Sequence, residues 1–117
     1  MQRDRQAYLW DIRNSLHLIL RFVENRTLDD YRQDPMLRAA VERQFEIIGE
    51  ALAQLLRRFP ETAAHITQHS GIIAFRNMLV HGYHLVDDSI VWSVIHNDLL
   101  VLDREIEGLV AGLDPSV

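Results

Sequence analysis

The strongest constraint on the fold is a run of apolar residues spaced three or four apart between two prolines. Asp34 followed by Pro35 is typical of a helix N-cap with proline at the first helical position, and Pro60 ends the run. The apolar positions between them are Leu37, Val41, Phe45, Ile48, Leu52, Leu55 and Phe59. Because they recur with a period near 3.6 residues, they predict one long amphipathic helix with a single buried face.

Two further apolar stripes with helical spacing flank this helix in the chain. The first stripe consists of Leu9, Ile12, Leu16, Ile19 and Val23. The last begins after an N-cap at Asp87 or Asp88, ends at Gly112, and consists of Val91, Ile95, Leu99, Leu102, Ile106 and Leu109. A mostly apolar helix after Gly71 weakens near Gly82, and residues 61–70 read as a short helical turn or two. Residues 24–35 read as a polar, turn-rich linker.

Four main helices result, and no stretch alternates with the period of two that a strand requires. We therefore expect an all-α fold, an antiparallel bundle of four to five helices with short connections. A chain of 117 residues with 48% hydrophobic residues has apolar material for one core, so residues 1–117 are expected to form a single domain.

Composition narrows the classes of function. The sequence contains no cysteine, which excludes disulfides, thiolate metal sites and a cysteine nucleophile. No signal segment or membrane span is predicted, so a cytoplasmic location is expected. The formal charge of −5 argues against a dedicated nucleic-acid coat, and no DNA partner is expected. All 12 cationic residues are arginine, whose rigid guanidinium forks suit phosphate.

The stretch "FRNMLVHGYH" places polar residues in the otherwise apolar helix after Gly71. Asn77 and His81 share one stripe, whereas Arg76 and His81, five residues apart, point about 140° away from each other in an ideal helix. They could cooperate only if the helix breaks near Gly82, or if a two-fold axis brings the segment against its copy in a second subunit.

Chemically, Arg76 and His81 match the needs of RNA cleavage without a metal. Histidine exchanges protons near neutral pH, arginine binds phosphate in a fork, and Asn77 could hold the ring or donate to a phosphate oxygen. The alternative is structural: Arg76 pairs with an acidic residue such as Glu46 or Glu50, and His81 is a satisfied core residue. No metal site is predicted, since the four-spaced row Glu42, Glu46 and Glu50 lacks the Glu-x-x-His motifs of di-metal bundles.

Arg76, Asn77, three apolar residues, His81, Gly82 and Tyr83, followed by "VDDSIVW", resemble the motif of the HepT-like toxins of the HEPN superfamily. The stretches "RDRQAYLWDI" and "AVERQFEIIGEA" are similar to the first and second helices of that family, so the resemblance spans nearly the whole chain. Two departures lie outside the motif. No tryptophan follows Pro60 closely, and Leu99-Leu100 replaces a leucine-proline pair.

The resemblance implies a function for the motif residues. It implies a homodimeric, metal-independent endoribonuclease without a cofactor, the toxin of a type VII-like toxin-antitoxin system. RNA would be the substrate, with transfer RNA as one candidate. Arg76 and His81 would be catalytic and Asn77 supporting. The partner would be an MntA-like minimal nucleotidyltransferase that silences the toxin by transferring AMP to Tyr83. The alternative is a non-catalytic module that binds the nucleotidyltransferase and a nucleotide.

Overall fold

The computed structural model describes residues 3–82 and 86–112, and these residues form helices joined by short connections. In chain order the α-helices are α1 (Arg5–Phe22), α2 (Leu28–Gln33), α3 (Pro35–Arg58), α4 (His69–His81), α5 (Asp88–His96) and α6 (Asp98–Gly112). A 3-10 helix, Pro60–His65, connects α3 to α4. No strand occurs in these two ranges, so the predicted all-α class is confirmed.

Helix α3 is the central element, in contact with α1, α2, α4 and the 3-10 helix. It begins as the sequence predicts, because the Asp34 side chain accepts a hydrogen bond from the Leu37 backbone N–H at 3.1 Å and Pro35 follows. Six of the seven apolar positions on its predicted stripe are buried, and Phe59 is half-buried. Phe45 meets Phe75 of α4 edge-on, with ring centroids 5.0 Å apart.

The pairing of α1 with α6 shows that these two helices run in opposite directions. Arg13 pairs with Glu107 at 2.7 Å, and His17, one turn further along α1, lies 3.2 Å from Asp103, one turn earlier on α6. The stripes of both helices face the core, where Leu9, Ile12 and Leu16 are fully buried, as are Leu99, Leu102 and Ile106. The chain is therefore a helical bundle, antiparallel at this contact.

The segment expected to be a linker contains the short helix α2. Thr27 Oγ1 accepts from the backbone N–H of Asp30 at 3.1 Å, and the Asp30 carboxylate accepts from the backbone N–H of Thr27 at 2.9 Å. This reciprocal capping box satisfies two free donors at the helix start. Tyr31 then packs on Trp92 of α5 with ring centroids 5.6 Å apart. The prediction of a linker over residues 24–35 was wrong because local capping and one aromatic anchor stabilise a turn and a half of helix.

The last predicted helix is also divided, into α5 and α6. Asn97 leaves the helical conformation with φ −127° and ψ −74°, and its side-chain amide donates to the Ser93 carbonyl oxygen at 2.9 Å. Asparagine side chains compete in this way with backbone hydrogen bonds. The apolar stripe continues across the break. The sequence therefore predicted correctly which residues are buried, but it wrongly predicted one continuous helix. None of the helices in the described ranges has the length and apolar character needed to cross a membrane.

Candidate functional site

Arg76 lies at the contact between α4 and α3 and is held by an ion pair. Its Nη2 donates to Glu50 Oε2 at 2.8 Å, and the arginine side chain is 19% exposed. The other Glu50 oxygen, Oε1, accepts from Gln54 Nε2, also at 2.8 Å. One carboxylate on α3 therefore links Arg76 to Gln54 along the outer edge of the α3–α4 contact.

Gly49 makes this arrangement sterically possible. A Cβ atom built at Gly49 would lie 2.5 Å from Arg76 Cγ and closer still to Arg76 Cβ, and 3.3 Å from Arg76 Nε. Helix α3 thus presents bare backbone to the stem of the arginine, and the guanidinium extends past it toward Glu50. Nε of Arg76 is buried and has no hydrogen-bond partner among the described residues. The guanidinium therefore retains a donor that its neighbours do not satisfy.

His81 is the last residue of α4 and is exposed, as is Asn77 one turn earlier. The expectation that His81 could be a core histidine was wrong, because the apolar face of α4 is provided by Ile72, Phe75 and Leu79. The helix runs without a break from His69 to His81 and ends at Gly82, so Arg76 and His81 keep the angular separation of an ideal helix. Within one chain the structure does not bring them together.

The exposed face of α4 bears small and polar side chains at helical spacing, with one large apolar side chain among them. They are Ser70, Gly71, Ala74, Asn77, Met78 and His81, and we call this set the α4 face. Met78 is 40% exposed, although the next residue, Leu79, is buried in the core. Within the described residues nothing covers this face. Tyr83, predicted as the modification site, lies outside the described residues.

The acidic row on α3 is divided among three environments. Glu50 pairs with Arg76, which agrees with the alternative that Arg76 pairs with Glu46 or Glu50. Glu46 instead lies 3.4 Å from Arg43. Glu42 is half-buried, and desolvation together with the nearby Asp88 and Glu46 raises its pKa above the ordinary value. The row therefore consists of two ion pairs and one partly desolvated carboxyl group.

A second cluster of polar side chains, which the sequence analysis missed, joins α1 to α6. The His17 ring nitrogen Nε2 lies 3.2 Å from Asp103 Oδ1 and 3.4 Å from Glu107 Oε1, and these ligand-type atoms lie within 4.8 Å of one another. Arg13 donates to the same Glu107 oxygen at 2.7 Å. The four-residue spacing of Asp103 and Glu107 could have indicated this cluster. Together with Arg13 it forms a polar network that joins the two helices.

The fold and the site together define a class: an all-α bundle that carries an arginine and a histidine five residues apart at the end of one surface helix. The family model described as ribonuclease HepT-like matches residues 12–109. The chain belongs to the HepT-like ribonuclease family, and the resemblance read from the motif is confirmed.

Individual relatives agree with this assignment. The chain is 30% identical over 109 residues to a protein of Thermococcus cleftensis named probable ribonuclease HepT, covering 93% of this chain and 98% of the relative. Two proteins of Methanocaldococcus jannaschii are named provisionally as RNases. One is 29% identical over 91% of this chain and 96% of its own length. The other, whose name includes gamma-glutamylcyclotransferase, is 34% identical over 97% of this chain, which spans only 51% of that relative. No solved structure matches the chain significantly.

Proposed function

We propose that this chain is the toxin of a toxin-antitoxin pair, an endoribonuclease that cleaves RNA without a metal ion through Arg76 and His81. The observation that supports this most directly is the placement of both residues on α4. A guanidinium fixed by Gly49 and Glu50 lies five residues before an exposed histidine at the helix end. Membership of the HepT-like ribonuclease family adds RNA as the class of substrate, and transfer RNA is the first to test.

In the proposed reaction the ribose 2′-hydroxyl attacks the adjacent phosphorus. His81 accepts the hydroxyl proton while the new bond from 2′-oxygen to phosphorus forms. The bond from phosphorus to the 5′-oxygen breaks, and that oxygen receives the proton from the His81 imidazolium that the first proton transfer formed. Arg76 stabilises the negative charge that develops on the phosphoryl oxygens, and Asn77 donates to the ring or to one of those oxygens. The products are a 2′,3′-cyclic phosphate and a 5′-hydroxyl.

This reaction needs two chains, and we propose a homodimer formed through the α4 face. Arg76 and His81 diverge on one continuous helix, so a complete site requires His81 from one subunit beside Arg76 of the other. The α4 face offers small side chains for close helix approach and includes Asn77, Met78 and His81. A two-fold contact there would cover the exposed methionine and form two clefts, each with Arg76 from one subunit and His81 from the other.

We further propose control by a minimal nucleotidyltransferase of the MntA type, which adds AMP to Tyr83. Tyr83 follows His81 by two residues, so a phosphate attached there would compete with RNA for Arg76. The competing candidate is a non-catalytic module, in which Arg76 and His81 only contact phosphate groups of a nucleotide or of the partner. The existing pairing of Arg76 with Glu50 supports that candidate, because the guanidinium already has a counter-ion.

One experiment separates the two candidates. Purified protein is incubated with RNA in excess EDTA, alongside the same RNA carrying 2′-O-methyl groups. The toxin proposal expects cleavage of the unmodified RNA, resistance of the methylated RNA, cyclic phosphate ends and loss of activity in His81→Ala. Activity that disappears with EDTA, or cutting of methylated RNA at the normal rate, contradicts the mechanism. Absence of cleavage together with tight binding of the nucleotidyltransferase supports the module.

A further inference from the structure

The last turn of α3 carries two arginines, Arg57 and Arg58, that pair with no carboxylate in the part of the chain that the structure describes. Ion pairs with carboxylates occupy six of the other arginines, namely Arg3, Arg5, Arg13, Arg26, Arg43 and Arg76. Arg57 and Arg58 are exposed and make no such pair among the described residues. In a chain with a formal charge of −5, two adjacent free guanidinium groups form a local positive site.

These arginines line a cavity together with an amide. Arg57, Arg58 and Gln54 form the described walls of an open surface cavity of about 430 Å³. The donors available there are two guanidinium forks and the amide of Gln54, which also donates to Glu50. Such a donor set suits a phosphate group, since arginine binds phosphate oxygens in pairs.

The cavity lies on the same face of α3 as the carboxylate that pairs with Arg76. Glu50 and Arg57 are seven residues apart, so they lie on the same stripe of the helix, about 10 Å apart along its axis. Gln54 lies between them and donates to Glu50 Oε1, while Glu50 Oε2 accepts from Arg76. Because Arg76 neutralises Glu50, the face from Arg76 to Arg58 carries a net positive charge.

We propose that the cavity of Gln54, Arg57 and Arg58 is a phosphate subsite for the RNA strand, next to the phosphate held at Arg76. That the ligand is RNA rests on the proposed function, and the path of the RNA strand over the protein surface is the new element. An extended single strand leaving Arg76 would follow the outer face of α3 toward the 3-10 helix, and its next phosphates would enter the cavity. The subsite would contact only the sugar-phosphate backbone of the RNA, so it would increase affinity without a preference for particular bases.

The ordinary role of arginine in a last helical turn is to offset the helix dipole, which contributes to folding and not to RNA binding. The test therefore measures binding and folding separately. Arg57→Gln/Arg58→Gln is compared with Arg21→Gln/Arg104→Gln, which removes the same charge from exposed positions on α1 and α6. Arg57→Lys/Arg58→Lys keeps the charge at the cavity. Thermal melting verifies that all three variants fold.

The probe is a 2′-O-methylated single-stranded RNA, which binds without being cut, titrated over a range of salt concentrations. The Arg57→Gln/Arg58→Gln variant should bind roughly tenfold more weakly at low salt. Its slope of log affinity against log salt should fall by about 1.4, or about 0.7 for each lost contact. With cleavable RNA, KM should rise and kcat should stay unchanged. The arginine-to-lysine variant should retain most of the slope.

A slope equal to that of the Arg21/Arg104 control overturns the inference, as does a fall in kcat with unchanged KM. The proposed function and this inference fail in different ways. If the proposed function is wrong, the wild-type chain leaves unmodified RNA intact in EDTA. If only the subsite is wrong, the wild-type chain cuts RNA and the Arg57→Gln/Arg58→Gln variant cuts it with the same KM and the same salt dependence.

Discussion

The stem of Arg76 packs directly on the backbone of Gly49, across the contact between α4 and α3. Glycine in the middle of a helix normally costs about 1 kcal/mol relative to alanine. At Gly49 the absence of a side chain leaves room for Arg76, because any larger residue would block the path of the arginine across α3 to Glu50. The glycine therefore has a role in the candidate site without contributing a side chain to it.

Gly49→Ala should destabilise the fold, by about 1–3 kcal/mol, because the added methyl group overlaps Arg76 Cβ and Cγ. It should also abolish RNA cleavage by displacing the guanidinium. Gly108→Ala is the matched control, since a Cβ atom there meets nothing within 4 Å and α6 should gain up to about 1 kcal/mol. Urea unfolding of both variants measures the difference. Equal stabilities would show that α3 and α4 can separate without cost.

Glu50→Gln should lower the rate of RNA cleavage about tenfold while changing the free energy of unfolding by less than about 1 kcal/mol. The substitution removes the charge that orients Arg76 but keeps an oxygen acceptor. Glu46→Gln is the control, because Glu46 lies near Arg43 rather than Arg76. Steady-state kinetics with a defined RNA, together with urea melts, measures both effects. A Glu50→Gln variant as fast as the wild type would mean that the ion pair does not position the arginine.

Mixing Arg76→Ala subunits with His81→Ala subunits should restore part of the activity that each variant lacks alone. If each cleft takes its arginine from one chain and its histidine from the other, a mixed dimer has one intact cleft. With random pairing the mixture should reach about a quarter of wild-type activity. Co-refolding the two variants and assaying RNA cleavage measures this. No recovery, with mixed dimers demonstrated by mass spectrometry, would place both residues of one chain in the same cleft.

Tyr83→Phe should remain toxic in the presence of the cognate nucleotidyltransferase, because the phenylalanine ring has no oxygen to accept AMP. The wild-type chain, incubated with that enzyme, ATP and magnesium, should gain whole AMP units, with the modified peptide containing Tyr83. Intact-mass and peptide mass spectrometry measure both outcomes. A neutralised complex with unmodified Tyr83 would instead indicate inhibition by physical masking.

Glu42→Gln should stabilise the protein at neutral pH and have little effect in acid. Burial, Asp88 and Glu46 raise the pKa of the folded-state Glu42 above its ordinary value of 4.5. Between 4.5 and that raised pKa the folded state therefore binds more protons than the unfolded state, so wild-type stability falls as pH rises through this window. Glutamine does not titrate, so the Glu42→Gln variant does not lose stability as the pH rises through this window. Urea unfolding as a function of pH measures the difference, and a difference independent of pH would contradict the assignment.

Much of the fold could be predicted from apolar spacing alone, because burial depends on which face a residue occupies. The stripe from Leu37 to Leu55 is buried as predicted, and the stripe from Val91 to Ile106 keeps its burial across the break at Asn97. The break itself and the helix α2 depend on single side-chain hydrogen bonds, at Asn97 and at Thr27. Periodicity does not report such local contacts.

The candidate site could be predicted only in its residue types and in one of its contacts. The motif identified Arg76, Asn77 and His81, and spacing showed that Arg76 and His81 diverge on one helix. The pairing with Glu50 was one of two options, and the contact with Gly49 had no sequence signal without a view of how α3 and α4 cross. The Arg57–Arg58 cavity was also not predicted, since two arginines at a helix end are ordinary.

Because α4 is continuous, the activity of the protein should depend on its concentration in the cell. If Arg76 and His81 must come from different chains, a lone chain has no working site, and below the dissociation constant of the dimer the activity grows with the square of the chain concentration. A cell with only a few copies of the chain would then have almost no active enzyme, while a modest rise in expression would be toxic. The same geometry would keep a single defect from being dominant, since a wild-type chain paired with a chain that lacks only Arg76 or only His81 still forms one intact cleft.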